Sequence, residues 1–110
     1  MKLKYAMKFV TDMDKAVAFH RDVLGLKLRF QSPGWSEFET GETTLALHPA
    51  SAGYPAGSIQ LSFGTDDLER FYAAREANGV TFSMPPTPLH GGTIARFLDC
   101  ERAEVSVGQN

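Results

Sequence analysis

The sequence predicts an α+β fold built from two successive βαβββ modules, and three observations carry that expectation. Each half opens with a run in which apolar and other residues alternate, the period of a strand. Each run leads to an acid-capped helical segment that stops at a glycine, Gly25 in the first half and Gly79 in the second. The halves also share letters. Phe9-x-Thr11-Asp12 matches Phe63-x-Thr65-Asp66 and Gly25 matches Gly79 at an offset of 54, whereas an offset of 55 pairs Asp12 with Asp67 and Lys15 with Arg70. A shared element order makes duplication the better explanation of these matches, with the register open by one residue.

In the first half, Leu3, Tyr5, Met7 and Phe9 alternate with Lys2, Lys4, Ala6 and Lys8, which predicts a strand. Thr11-Asp12-Met13-Asp14 fits a helix start, with Thr11 as hydroxyl cap and an acid three residues on. Met13, Ala16, Val17, His20 and Leu24 fall on one stripe at helical spacing. Strands are expected at 26–31, 35–40 and 43–48, separated by the turn residues Pro33-Gly34 and Gly41-Glu42. The stretch 49–57, rich in Pro, Gly, Ala and Ser, reads as the connector. In the second half, Ile59, Leu61 and Phe63 share one face of a strand at 58–63. Asp66-Asp67 opens a helix that Asn78-Gly79 closes, and strands follow at 80–84, 93–98 and 104–107, with a long loop at 85–92. The expected organisation is one domain over 1–110, with module one at 1–50 and module two at 58–110.

Composition narrows the function. A 110-residue chain that is 43% hydrophobic suits one globular core. A net charge of -2 argues against nucleic acid as the main partner, and no cluster of basic residues marks an anionic membrane surface. One cysteine, Cys100, permits no internal disulfide; with no signal-like apolar stretch after Met1-Lys2-Leu3-Lys4, the expectation is a cytoplasmic protein. No G-x-S-x-G motif is present, and Gly91-Gly92 lacks the strand–glycine–helix order of a phosphate loop.

The segment Phe9-Val-Thr-Asp-Met-Asp-Lys-Ala-Val-Ala-Phe-His-Arg-Asp-Val-Leu-Gly-Leu26 resembles the first-module signature of the vicinal oxygen chelate superfamily, which includes glyoxalases, bleomycin-resistance proteins and extradiol dioxygenases. In that signature a strand leads to an aspartate, an amphipathic helix and an F-Y-x-x-x-L-G ending. Gln60-Leu-Ser-Phe-Gly-Thr-Asp-Asp-Leu68 resembles the second-module opening H-x-x-F-x-V-D-D-L, and Phe97-Leu98-Asp99 resembles the start of the closing F-x-D-P-D-G-N hairpin. There Cys100 replaces the usual proline and Glu101-Arg102 the usual Asp-Gly. The resemblance implies a half-open eight-stranded sheet around a cavity with helices outside, and a homodimer.

With that arrangement, alternation turns Tyr5, Met7 and Phe9 inward and leaves Lys8 on the helix side. It turns Thr44, Ala46 and His48 inward and Leu45 and Leu47 toward the core. It also turns Ser58, Gln60, Ser62 and Ser106 inward, while Ile59, Leu61, Phe63, Val105 and Val107 pack on the helix side. Enzymes of the superfamily hold a divalent metal with His, Glu or Gln from inward strands. Carried over position by position, those ligands fall on Tyr5, Ala46, Gln60 and Ser106, of which only Gln60 is a ligand type. His48 with Gln60 is the weak alternative, and two donors are too few for a tight site.

The remaining candidates divide between a site and plain structure. His48 orients a ligand or is bonded to a neighbouring strand. His20, at the helix position where relatives carry Tyr, reads as structural. His90 sits in the expected loop, where it belongs to a lid or to solvent. Trp35, Glu37 and Glu39 share a strand face: Trp35 suits an aromatic wall and Glu37 a ligand amine, or the face is exposed or a dimer contact. Arg96 suits a ligand carboxylate or a surface ion pair, the register of its strand being open.

The function expected is metal-independent sequestration of a small molecule, similar to the bleomycin-resistance branch. The ligand-binding residues would be Tyr5, Met7, Phe9, Trp35, Glu37, His48, Gln60 and Ser106, with no cofactor and no assigned catalytic residue. One alternative is a divalent-metal-dependent lyase or isomerase resembling glyoxalase, or a dioxygenase; another is a non-catalytic interaction module.

Overall fold

The computed structural model describes residues 1–110. The chain is α+β, with two βαβββ modules in the expected order. They fall into two units: Lys4–Gln60, and Leu61–Asn110 together with Met1–Leu3. The first contains β1 (Lys2–Val10) from its third residue on, α1 (Met13–Ala18), β2 (Lys27–Phe30), β3 (Ser36–Glu39) and β4 (Thr44–Pro49). The second contains β5 (Ile59–Thr65) from Leu61 on, α2 (Leu68–Ala73), α3 (Arg75–Asn78), β6 (Thr81–Leu89), β7 (Gly92–Leu98) and β8 (Glu104–Gln109).

The strands of the first unit run in the order β2-β3-β4-β1, those of the second in the order β5-β8-β7-β6. In each unit the opening strand pairs in parallel with the last one, β1 with β4 and β5 with β8, and the other pairs are antiparallel. No helix is long and apolar enough to cross a membrane.

In the first unit Val10, Val17, Phe38 and Leu47 form a buried core, joined by Met13, Ala16, Leu26, Leu28 and Leu45. Val10, Phe38 and Leu47 thus face α1, and by alternation Tyr5, Met7, Phe9, Trp35, Glu37, Ala46 and His48 stand on the opposite, inner face. Lys8 lies half-buried on the helix side, in register with Leu47. In the second unit Leu68, Ala95 and Val107 are buried with Phe63, Phe71, Phe82 and Phe97 around them. Ile59 and Leu61 do not join that core; they are 62% and 41% exposed. The six residues of α2 extend only about 9 Å, enough to cover Phe63 at the strand's end.

Helix ends follow local chemistry. The first cap is Asp12 rather than Thr11: its carboxylate accepts from the backbone N of Lys15 at 3.1 Å. Asp67 does the same for Arg70 at 3.0 Å, so the caps repeat at the offset of 55 that pairs Asp12 with Asp67. After Ala18 the backbone widens into a π turn over Phe19–Val23, closed by Leu24 N donating to Phe19 O at 3.2 Å. The extra residue shifts the phase of the apolar stripe, which leaves Leu24 53% exposed while His20 stays buried.

The expected 85–92 loop is instead strand. β6 continues through Pro85, Pro86 and Pro88, and only His90-Gly91 makes the turn to β7. Both turn residues have positive φ, 50° and 79°, the backbone of a tight hairpin. Prolines are tolerated because β6 ends the strand order and needs donors on one side only. The β7–β8 turn forms without its usual proline and glycine. Asp99 accepts from the backbone N of Glu101 at 2.8 Å and of Ala103 at 3.0 Å, and Arg102 takes a φ of 65° where the related hairpins place Gly.

Candidate functional site

The inner face of the first unit carries a continuous aromatic row. Tyr5 on β1 meets Trp35 edge to face at 5.7 Å between ring centroids, and Trp35 meets His48 at 6.1 Å. His48 meets Phe9 at 5.4 Å, and Phe9 stacks on Tyr54 at 4.8 Å. Edge-to-face contacts place the positive rim of one ring on the negative face of the next, so the row favours a fixed arrangement. Phe9 is 4% exposed, Tyr5 and Trp35 are half-buried and His48 is exposed. Met7 and Ala46 are register partners in this face, Ala46 fully buried.

The connector belongs to this unit. Gly57 N donates to Phe9 O at 2.8 Å, Phe9 N donates to Ser58 O at 3.0 Å, and Ala50 N donates to Val10 O at 2.8 Å. These bonds hold Tyr54 over Phe9, a contact that composition alone did not signal.

Glu37 sits at the hub of the polar groups. One carboxylate oxygen accepts from Arg29 Nη1 at 2.8 Å, the other from the Trp35 indole Nε1 at 2.7 Å. Arg29 also donates to Thr44 Oγ1 at 3.2 Å. The side chain of Glu37 is 12% exposed and that of Arg29 40%. With both oxygens engaged and its charge matched, Glu37 fixes the indole rather than standing ready for a ligand amine. Arg29 is the residue sequence reasoning missed; its spacing from Glu37 across a β2–β3 hairpin was the available signal.

The histidines differ. His48 Nδ1 lies 2.9 Å from Pro49 O. A carbonyl only accepts, so Nδ1 carries the hydrogen, and the uncharged tautomer with that hydrogen leaves Nε2 as an acceptor. His20 is 6% exposed, donates through Nδ1 to Ala16 O at 2.7 Å and lies against Phe38, which makes it part of the packing. His90 is exposed at the tip of the β6–β7 hairpin.

Gln60 and Ser106 are buried, 7% and 6% exposed. Ser106 lies in the second unit, between Ser62 and Arg96 in strand register. An open depression of about 480 Å³ is lined by Asp12, Met13, Asp14, Gln31, Ser32 and Pro33 and includes none of the expected ligand-binding residues.

The four positions implied as metal ligands hold Tyr5, Ala46, Gln60 and Ser106: a phenol, a methyl, an amide and a hydroxyl, with no carboxylate or imidazole among them. Nowhere do three or more His, Cys, Asp or Glu side chains converge as a metal would require. A tightly held divalent ion needs three or four good donors on one open sphere. The residues present do not fit one.

Comparison with known proteins agrees with the fold. The chain is 31% identical over 116 aligned positions to the uncharacterized protein YurT of Bacillus subtilis (strain 168), covering 90% of this chain and 91% of that one. A methylmalonyl-CoA epimerase of Streptomyces coelicolor, solved with 2-nitronate-propionyl-CoA, superposes with a TM-score of 0.80 at 15% identity, covering 100% of this chain and 94% of that one. The Mn(II)-bound glyoxalase of Novosphingobium aromaticivorans superposes with a TM-score of 0.69 at 21% identity; 98% of this chain matches 38% of that one. At such identities the structural likeness concerns the fold alone. The family model of the Glyoxalase/Bleomycin resistance protein/Dioxygenase superfamily matches residues 2–105, and the chain belongs to that superfamily.

Proposed function

We propose that this protein binds and sequesters a flat, largely apolar small molecule on the inner aromatic face of module one, without a metal. The observation that carries the reading is the row Tyr5–Trp35–His48–Phe9–Tyr54, whose indole is locked by Glu37. Ligand pockets combine apolar and aromatic walls with a few placed polar groups. Here Tyr5, Met7, Phe9 and Trp35 supply the wall. His48 Nε2 supplies an acceptor for a ligand N–H or O–H, and Gln60 supplies a further polar group. Because Arg29 already neutralises Glu37, the face suits an uncharged ring better than a cation. The donor set supports the metal-free reading over a glyoxalase-like lyase or isomerase.

Trp35 is the chain's one tryptophan, so its emission reports directly on occupancy. Titration with a panel of planar aromatic compounds is expected to give a saturable change in that emission, and mass spectrometry to recover the ligand unaltered. Trp35→Leu followed by ligand competition, and Tyr5→Ala followed by emission, are each expected to weaken binding about tenfold or more, the scale of losing an aromatic contact. Stoichiometric zinc, nickel, manganese or iron in the purified protein, with turnover lost on its removal, would overturn the proposal.

A further inference from the structure

The two modules place equivalent side chains in equivalent rows. In module one the row across β1, β4 and β3 is Met7–Ala46–Glu37. In module two the row across β5, β8 and β7 is Ser62–Ser106–Arg96. Met84 of β6 extends that row beside Arg96. Ala95, Phe97, Val107 and Phe63 face the α2 side, so Ser62, Ser106 and Arg96 stand on the opposite, inner face of their sheet.

The first row ends on a carboxylate with an arginine partner; the second ends on an arginine with no acid. Two arginines of the chain are half-buried, Arg75 and Arg96. Arg75 lies 4.0 Å over the Tyr72 ring and donates to Tyr72 O at 3.0 Å. The Arg96 guanidinium enters no ion pair and no hydrogen bond within the chain. Glu104 is on the same face, opposite Leu98, where it accepts from Ser83 Oγ at 2.9 Å. No fully buried side-chain nitrogen or oxygen lacks a partner, so the Ser106 hydroxyl, which bonds to nothing in the chain, opens onto the inner face although the residue is 6% exposed.

We propose that Arg96, with the hydroxyls of Ser106 and Ser62, forms a carboxylate-binding site on the inner face of module two, taking a small monocarboxylic acid. The planar guanidinium fork matches a carboxylate with two parallel N–H donors. Two neighbouring hydroxyls can donate to the remaining lone pairs. Adjacent strands are about 4.8 Å apart, so the three side chains span the width of one small acid. A phosphate dianion is a poorer match, because the site offers one positive charge and its backbone N–H groups are committed to the sheet. This site goes beyond the aromatic face and stands without it.

The test uses the whole chain labelled with nitrogen-15, titrated with sodium acetate against sodium chloride at equal ionic strength. Acetate carries no ring, so its result is separate from that for the aromatic face. Saturable shifts are expected at the Arg96 Nε–H and the amides of Ser62 and Ser106, with none from chloride. Arg96→Gln is expected to weaken acetate about ten- to hundredfold, with Arg96→Lys in between, because a charge-assisted bond is lost. Ser106→Ala, which preserves the packing of a buried position, is expected to weaken it several-fold and carries the test should Arg96→Gln lose its dispersed spectrum. Unsaturable shifts, or acetate binding unchanged in these variants, would overturn the site. Tighter binding of inorganic phosphate than of acetate would overturn the carboxylate assignment.

Discussion

Removing the Glu37 carboxylate tests the order imposed on the aromatic face. Glu37→Ala deletes two bonds, to Arg29 at 2.8 Å and to Trp35 Nε1 at 2.7 Å. Unit charges about 4 Å apart interact by about 4 kcal/mol at an effective dielectric near 20 and about 1 kcal/mol in bulk water. Arg29 keeps 40% of its side chain in solvent, which places this pair toward the lower value, and desolvation and side-chain entropy reduce it further. A coupling of about 0.5–1 kcal/mol remains, and the indole bond adds about 1 kcal/mol net. Glu37→Ala is therefore expected to cost about 1.5–2 kcal/mol, and Arg29→Ala about 0.5–1 kcal/mol. Glu37→Gln separates the two effects, since its amide oxygen can still accept from the indole while the ion pair is gone. Urea denaturation of the single and double variants, followed by far-ultraviolet circular dichroism, yields the coupling from the cycle. Trp35 emission should shift to the red in Glu37→Ala and much less in Glu37→Gln. A coupling below about 0.3 kcal/mol, within ordinary additivity, together with unchanged emission, would show that Glu37 does not organise this face.

Two further outcomes follow from local chemistry. Asp12→Ala and Asp67→Ala should each cost about 1 kcal/mol in the same denaturation assay, with Thr11→Ala near zero; a larger loss for Thr11→Ala would refute Asp12 as the cap. The Glu39 carboxyl is held below its ordinary range by the Lys27 hydrogen bond at 3.0 Å, then by the Lys27 charge. Its folded midpoint lies below the unfolded one, so its contribution is present above the ordinary carboxylate range and is lost as pH falls through the lowered midpoint. Carbon-13 titration should show that lowered midpoint returning to the ordinary range in Lys27→Met or in high salt, and a midpoint indifferent to both would refute the pairing.

The module order, most strand positions and the inward set of β1 and β4 were legible because alternation is a local property and one face of each strand is packed on a helix. What was not legible depended on geometry beyond the window. Nothing in Phe19–Val23 announces a π turn, yet one added residue moves Leu24 out of the packed stripe. Three prolines in eight residues read as a loop, but an edge strand needs no donors on its free side. Of the candidate site, Tyr5, Phe9 and His48 were visible as inward positions, and Trp35 as an aromatic on one strand face. The engagement of Glu37 by Arg29, and the stacking of Tyr54 on Phe9, required strand register and the path of the connector.

That register also shows where the two modules are held alike and where they differ. At an offset of 55, Asp12 and Asp67 cap the helices, while Met13 and Leu68 pack beneath them. On the last strands Leu45 and Leu47 correspond to Val105 and Val107, so the helix side stays apolar in both copies. The inner side differs between the copies. Tyr5, Met7 and Phe9 correspond there to Gln60, Ser62 and Gly64, and the Ala46–Glu37 pair corresponds to Ser106–Arg96. Exchanging inner residues leaves the helix-side cores in place, so the two copies can carry different inner sets on one scaffold. This accounts for a chain that keeps the superfamily's architecture while its four expected ligand positions hold a phenol, a methyl, an amide and a hydroxyl.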